Sequence, residues 1–147
     1  MATPTRIVAA VDFTPASHLV CRAAGDLARA LHAEVVLVHV VHELAALLGV
    51  YTQQSVRELQ DDLERRGGDK LRALAGEHFA KSGIAHRVVL LVGTPWAELI
   101  DCAQQENASV LVIGTHSSSK PEHALVGSTV KRVVENAHCQ VLLVPPS

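Results

Sequence analysis

Strand-like and helix-like segments alternate strictly along the 147 residues. That alternation predicts an α/β fold: a doubly wound, five-stranded parallel sheet of order 3-2-1-4-5 in a Rossmann-like three-layer sandwich. Three observations carry the expectation. The strand candidates are short continuous apolar runs, as strands covered on both faces are. The segments between them bear helix caps and apolar stripes. Asp12 and Gly114 stand at the carboxyl ends of the first and fourth strands, where ligands of such sheets collect, and they share one crevice if those two strands are neighbours.

Residues 6–11 (RIVAAV) form the first strand. Thr14-Pro15 then supplies an N-cap and a proline for the first helical position. The helix runs to about residue 32, with Leu19, Ala23, Leu27 and Leu31 on one stripe and Val20 and Ala24 beside it. Glu34–Val41 (EVVLVHVV) is the second strand. Residues 42–52 are apolar without a period and read as a loop or a short lid-like helix. Residues 53–82 are charged and helix-forming, with Leu59, Leu63, Leu71, Leu74 and Phe79 expected on the buried side. Gly67-Gly68 interrupts them; two glycines cost about 2 kcal/mol against alanine in a helix interior, so a kink or break is expected there.

Gly83 ends that helix, and His86–Val92 (HRVVLLV) is the third strand. Thr94-Pro95 repeats the cap-and-proline device for a helix reaching residue 106 or 107. The fourth strand is 109–113, the last helix Ser128–Asn136 and the fifth strand 139–144, after which Pro145-Pro146 stops further pairing.

The length suits one domain, residues 1–147, with enough chain to bury a core. Only four residues are aromatic (Phe13, Tyr51, Phe79 and Trp96), so the core must be built from Ala, Val, Leu and Ile. A net charge of −2 gives no broad basic footprint, and the aromatics that stack exposed bases are missing, which argues against nucleic acid as a partner. No apolar run approaches the roughly 20 residues that span a bilayer, and the N-terminus lacks a signal-peptide layout. Cys21, Cys102 and Cys139 are odd in number and set among apolar residues, so they read as small buried hydrophobes in a reducing compartment. A cytoplasmic location without membrane partners is expected.

The most informative stretch is 110–144, VLVIGTHSSSKPEHALVGSTVKRVVENAHCQVLLV. An apolar strand runs into Gly114, a polar and nearly charge-free loop follows, and Gly127-Ser128-Thr129 opens an amphipathic helix. Glycine lets another group approach the backbone closely, and a Gly-Ser-Thr helix start offers N–H groups and hydroxyls to an anion with the positive helix end behind them. This is a phosphate cradle without the lysine of the G-x-x-x-x-G-K-[ST] loop. The alternative is purely structural: Gly114 ends a strand, Ser128 or Thr129 caps a helix, and Asp12 caps the helix after the first strand.

IVAAVDFTPAS at 7–17, VLVHVV at 36–41, GTPWAELI at 93–100, VLVIGTH at 110–116 and the stretch 127–144 together resemble the universal stress protein family over essentially the whole chain. Members of its ATP-binding branch carry G-x-x-G, nine residues, then G-[ST]. On this chain the first glycine is Gly114 and the closing pair is Gly127-Ser128, while the second glycine falls on Ser117. The Gly-Arg-x-Gly often seen there is replaced by Ser117-Ser118-Ser119-Lys120. The resemblance implies that Asp12 lies near adenine or ribose and that the backbone around Val40 forms part of the base pocket. It also implies a homodimer through the last strand, here Val141, Leu142, Leu143 and Val144.

Serine at 117 costs about 1–2 kcal/mol if the position needs a left-handed backbone. Its hydroxyl returns about 1.5 kcal/mol if it bonds a charged phosphate, and a lost arginine contact removes about 1.5–3 kcal/mol. The net is a weakening of roughly ten- to a hundredfold.

His39, His42, His116 and His123 could fall near the same end of the sheet, but neither Cys nor carboxylate completes a tight cluster among them, so no metal site is expected there. The resulting expectation is a stress-response protein that binds ATP or another adenine nucleotide. Asp12 and Val40 would meet the nucleoside, and Gly114, Ser117, Gly127, Ser128 and Thr129 the phosphates, with Mg²⁺ arriving on the phosphates. A nucleotide-free dimeric scaffold is the second reading. With no Walker lysine, evident base or arginine finger, at most slow ATP hydrolysis is expected.

Overall fold

Every strand of the expected set forms, and all five join one parallel sheet. The computed structural model describes residues 4–115 and 126–146. The strands are β1 (Arg6–Ala10), β2 (Glu34–Val41), β3 (His86–Val92), β4 (Val110–Gly114) and β5 (Gln140–Val144), in the spatial order β3-β2-β1-β4-β5. The helices are α1 (Ala16–Leu31), α2 (Gln53–Ala75), α3 (Pro95–Gln105) and α4 (Ser128–Asn136). β1 lies between β2 and β4, in register Ala10↔Val38 on one side and Ala10↔Ile113 on the other. The order therefore reverses between β1 and β4.

Strand alternation sorts the core into two layers. Ile7, Ala9, Val35, Leu37 and Val112 pack with Val20, Cys21 and Ala24 of α1 and with Leu71 and Leu74 of α2. Val8, Val36, Val38, Leu111 and Ile113 face the other way, onto Leu99 and Cys102 of α3 and Val130 and Val133 of α4. Burial pushes the Cys21 thiol up to about 12, with the Glu77 charge adding to it, and the Cys102 thiol up to about 11; thiolate chemistry is suppressed at both. At the amino ends of the strands, away from the crevice, Arg87 Nε donates to Glu34 Oε1 at 3.1 Å and its guanidinium also pairs with Glu106. No helix among the described residues is long and apolar enough to cross a membrane.

Local departures have physical causes. α1 begins one residue later than the Thr14-Pro15 pattern predicts, because Pro15 holds the cap position and Asp12 organises the turn. Leu31, expected on its buried stripe, is 44% exposed at the helix end. The irregular segment after β2 contains a short 3-10 helix, Ala45–Gly49, with none of its residues buried.

The expected break at Gly67-Gly68 does not occur: α2 runs through both glycines, and both are buried. A Cβ on Gly67 would lie 3.2 Å from Leu90 Cδ1 and 3.5 Å from His39 Cδ2, so glycine there lets the helix lie close on β2 and β3. Tertiary packing overrides the propensity cost. Leu59, expected to be buried, is 48% exposed, and Val56 takes the inward position on that turn. The irregularity of this helical segment comes later, as a π-helical turn at Gly76–Ala80 that carries the fully buried Phe79.

A cleft at the strand-order reversal

β1 leads into α1 on one face of the sheet and β4 leads towards α4 on the other, so a crevice opens between their carboxyl ends. Its volume is about 550 Å³, within the range of roughly 300–1,000 Å³ common for small-molecule sites. Asp12, Val40, Gly114, Gly127, Ser128 and Thr129 all line it. Ser117, the remaining residue of the expected set, lies outside the described residues, as do His116 and His123.

Asp12 occupies the turn between β1 and α1. Its Oδ1 accepts hydrogen bonds from the Thr14 N–H at 3.1 Å, the Thr14 hydroxyl at 2.7 Å and the Ser17 hydroxyl at 3.3 Å. The capping role is thus real, and the three bonds fall on one carboxylate oxygen of a residue that also lines the cleft. The turn also holds Phe13 at φ 65°, a left-handed conformation that costs a residue with a Cβ about 1–2 kcal/mol. Held there, the Phe13 ring lies 4.2 Å from the His39 ring, centre to centre.

Opposite Asp12, Gly127 is the N-cap of α4, with ordinary extended angles of φ −72° and ψ 165°. Its N–H donates to the Thr115 carbonyl at 2.9 Å, tying the helix start to the end of β4. The first N–H groups of an α-helix have no partner within the helix, and glycine brings no side-chain oxygen to accept them. Ser128 and Thr129 carry those groups to the cleft wall, beside two hydroxyls.

α2 supplies a wall that sequence reasoning missed: Leu63, Arg66, Gly67 and Lys70. The signal was present as a 3–4 residue spacing on one helix face, but Gly67 was read as a break and not as a close-approach point. Lys70 Nζ lies 5.5 Å from the centre of the Phe13 ring, and Arg66 Nε pairs with Asp62 at 3.0 Å. Two cations therefore border the cleft on the α2 side, while Gly114, Gly127, Ser128 and Thr129 on the other wall carry no charge.

His39, half-buried, also lines the cleft. Its Nδ1 lies 2.8 Å from the Val11 carbonyl oxygen, so that nitrogen carries the proton and donates it. Burial pushes the His39 pKa below its ordinary value, with Lys70 and His42 acting in the same direction against the Val11 carbonyl and Asp12. The unfolded chain then binds more protons than the folded one between the two pKa values. The stability that neutral His39 contributes is complete above its ordinary value of about 6.5 and is lost as pH falls through the depressed one. Urea midpoints at pH 7.5 and 5.5 should fall less for His39→Gln than for the wild type; an equal fall would remove His39 from the acid response.

Fold and cleft together define the class: a doubly wound α/β protein with an open crevice at the reversal of strand order, walled by a glycine-started helix. The chain belongs to the universal stress protein family, whose sequence profile matches residues 4–145. It is 28% identical over 139 residues to a universal stress protein of Methanocaldococcus jannaschii, covering 95% of this chain and 81% of that one. Among solved structures it is similar to a universal stress protein from Lactobacillus plantarum, with 26% identity, a TM-score of 0.80 and coverage of 98% and 99% of the two chains. It also shares its fold with a universal stress protein from Archaeoglobus fulgidus solved in complex with dAMP, at 22% identity, a TM-score of 0.61 and coverage of 98% and 99%.

Proposed function

We propose that this chain, as a single 147-residue domain, is an adenine-nucleotide-binding universal stress protein that acts as a cytoplasmic homodimer in stress response or signalling. The observation that carries this reading is the convergence of Asp12, Val40, Gly114, Gly127, Ser128 and Thr129, from four separate stretches of sequence, on one cleft. The dAMP complex of the related fold supports the ligand class. In this reading Asp12 Oδ2 and the backbone at Val40 meet the nucleoside. Gly114, Ser117, Gly127, Ser128 and Thr129 hold the phosphates of ATP, and Mg²⁺ comes with them. Lys70 and Arg66 add positive charge to the cleft lining, which favours an anionic ligand.

β5 supports the dimer reading: it is an edge strand, and Leu142 on it is 39% exposed. Pairing with a two-fold mate covers an apolar edge that is otherwise an aggregation hazard. Light scattering should give about twice the chain mass, and a clean monomer at micromolar concentration would end this part of the proposal.

Ser117 favours one competing reading, a dimeric scaffold that works through protein contacts without nucleotide. Mass spectrometry of small molecules released from freshly purified protein, with calorimetric titration of ATP and AMP, separates the two. Adenine nucleotide should be released or bound, Ser117→Gly should tighten ATP more than AMP, and turnover should stay below about 1 s⁻¹. If neither protein binds any adenine nucleotide, the scaffold reading takes over.

A further inference from the structure

We propose a zinc site, separate from the cleft, formed by His18 of α1 with Glu77 and His78 of the π-helical turn. One ligand atom from each of the three lies within 4.8 Å of the other two. His18 Nδ1 and His78 Nε2 are 2.9 Å apart, with ring centres at 5.1 Å and planes tilted by 53°. At that separation the two nitrogens share a single proton, one donating and the other accepting. Two imidazole nitrogens on a tetrahedral Zn²⁺, each about 2.0–2.1 Å from the ion, stand about 3.3 Å apart. Exchanging the proton for the ion asks the two nitrogens to separate by about 0.4 Å and the rings to turn until both lone pairs point at the ion.

The local backbone explains why three ligands meet here. Glu77 and His78 are consecutive residues of the π-helical turn, and their ligand atoms meet that of His18 on α1; π turns recur at functional positions. The following residue, Phe79, is fully buried beside Gly25 of α1 and Ile84, which anchors the turn beneath the cluster.

The donor set selects the ion. Two imidazoles and a carboxylate are a recurrent zinc set, whereas Ca²⁺ and Mg²⁺ demand oxygen ligands. Three protein ligands leave a fourth position to water, and the exposure of His18 and Glu77 gives the ion a route in.

Chelator-treated protein dialysed against ZnCl₂ should take up one tightly held Zn²⁺ per chain. His18→Ala and His78→Ala should each weaken that binding at least tenfold, and Glu77→Gln by a smaller factor. The double variant His116→Ala/His123→Ala and the variant His138→Ala, which alter other histidines, should bind as the wild type does. Without zinc the His18→Ala and wild-type melting temperatures should be close, and zinc should raise only that of the wild type. Uptake unchanged in His18→Ala and His78→Ala, binding weaker than millimolar in the wild type, or loss of binding in the control variants would each overturn the site. In the first two cases the cluster is a histidine–histidine hydrogen bond only.

Discussion

Gly127→Val should weaken adenine-nucleotide binding about a hundredfold while lowering folding stability by only about 1 kcal/mol. The small folding cost follows from the geometry of the free site. Gly127 has ordinary backbone angles, and among the described residues a Cβ there would meet nothing nearer than the Thr115 carbonyl oxygen at 3.6 Å, a normal contact. What remains is the poorer N-cap that a branched residue makes. The large binding cost follows from where the added methyl groups go: into the cleft wall at the start of α4. They hold a phosphate away from the N–H groups of Ser128 and Thr129, and losing about two hydrogen bonds to a charged acceptor, at about 1.5 kcal/mol or more each, amounts to roughly 3 kcal/mol. Calorimetric titration with ATP and urea unfolding of the same preparation measure both quantities. Unchanged affinity would mean that Gly127 only starts a helix, and a loss of more than 3 kcal/mol in stability would give the glycine a structural cause that the packing does not reveal.

Phe79→Ala should remove about 3–5 kcal/mol of folding free energy, a large share of the roughly 5–15 kcal/mol typical of a domain. Phe79 is among the four aromatic residues and, among the described residues, is the largest side chain with no exposed surface. Its ring fills the space that Gly25 leaves on α1, where even a Cβ would come within 3.6 Å of Phe79 Cε1 and 3.3 Å of Ile84 Cδ1. No small neighbour can move in to fill the void, because the Phe79 carbonyl accepts from the N–H groups of Ser82 at 3.2 Å and Ile84 at 3.0 Å and so pins the chain reversal. Phe79→Leu, which keeps most of the volume, should cost about 1.5 kcal/mol or less. Urea midpoints of the three proteins decide; a loss under about 2 kcal/mol for the alanine variant would show that this corner collapses around the gap.

Sequence reading reached the sheet more securely than the helices. β2 and β4 were legible because a strand covered on both faces is apolar at nearly every position, and EVVLVHVV or VLVIG admits few other environments. The strand order was legible because Asp12 and Gly114 have a shared use only if β1 and β4 touch, as they do. Gly67 shows where that reasoning fails. A glycine inside a charged helix has one local meaning, a weak point, and an opposite tertiary meaning, a place where two backbones come close. Which one holds depends on Leu90 and His39, far off in the chain, and no local window contains them.

The site divides along the same line. The chain by itself determined the fold class, the family and the cleft-lining Asp12, Gly114, Gly127, Ser128 and Thr129, each signalled by its neighbours in sequence as a strand end, a glycine or a helix start, while Val40 came only through the family resemblance. Only the tertiary structure decided that Arg66 and Lys70 border that cleft, that Asp12 spends one oxygen on its own turn, and that His18 meets Glu77 and His78. Local propensity and periodicity are written in a few consecutive residues, whereas the meeting of side chains from separate helices is set by how those helices pack on the sheet.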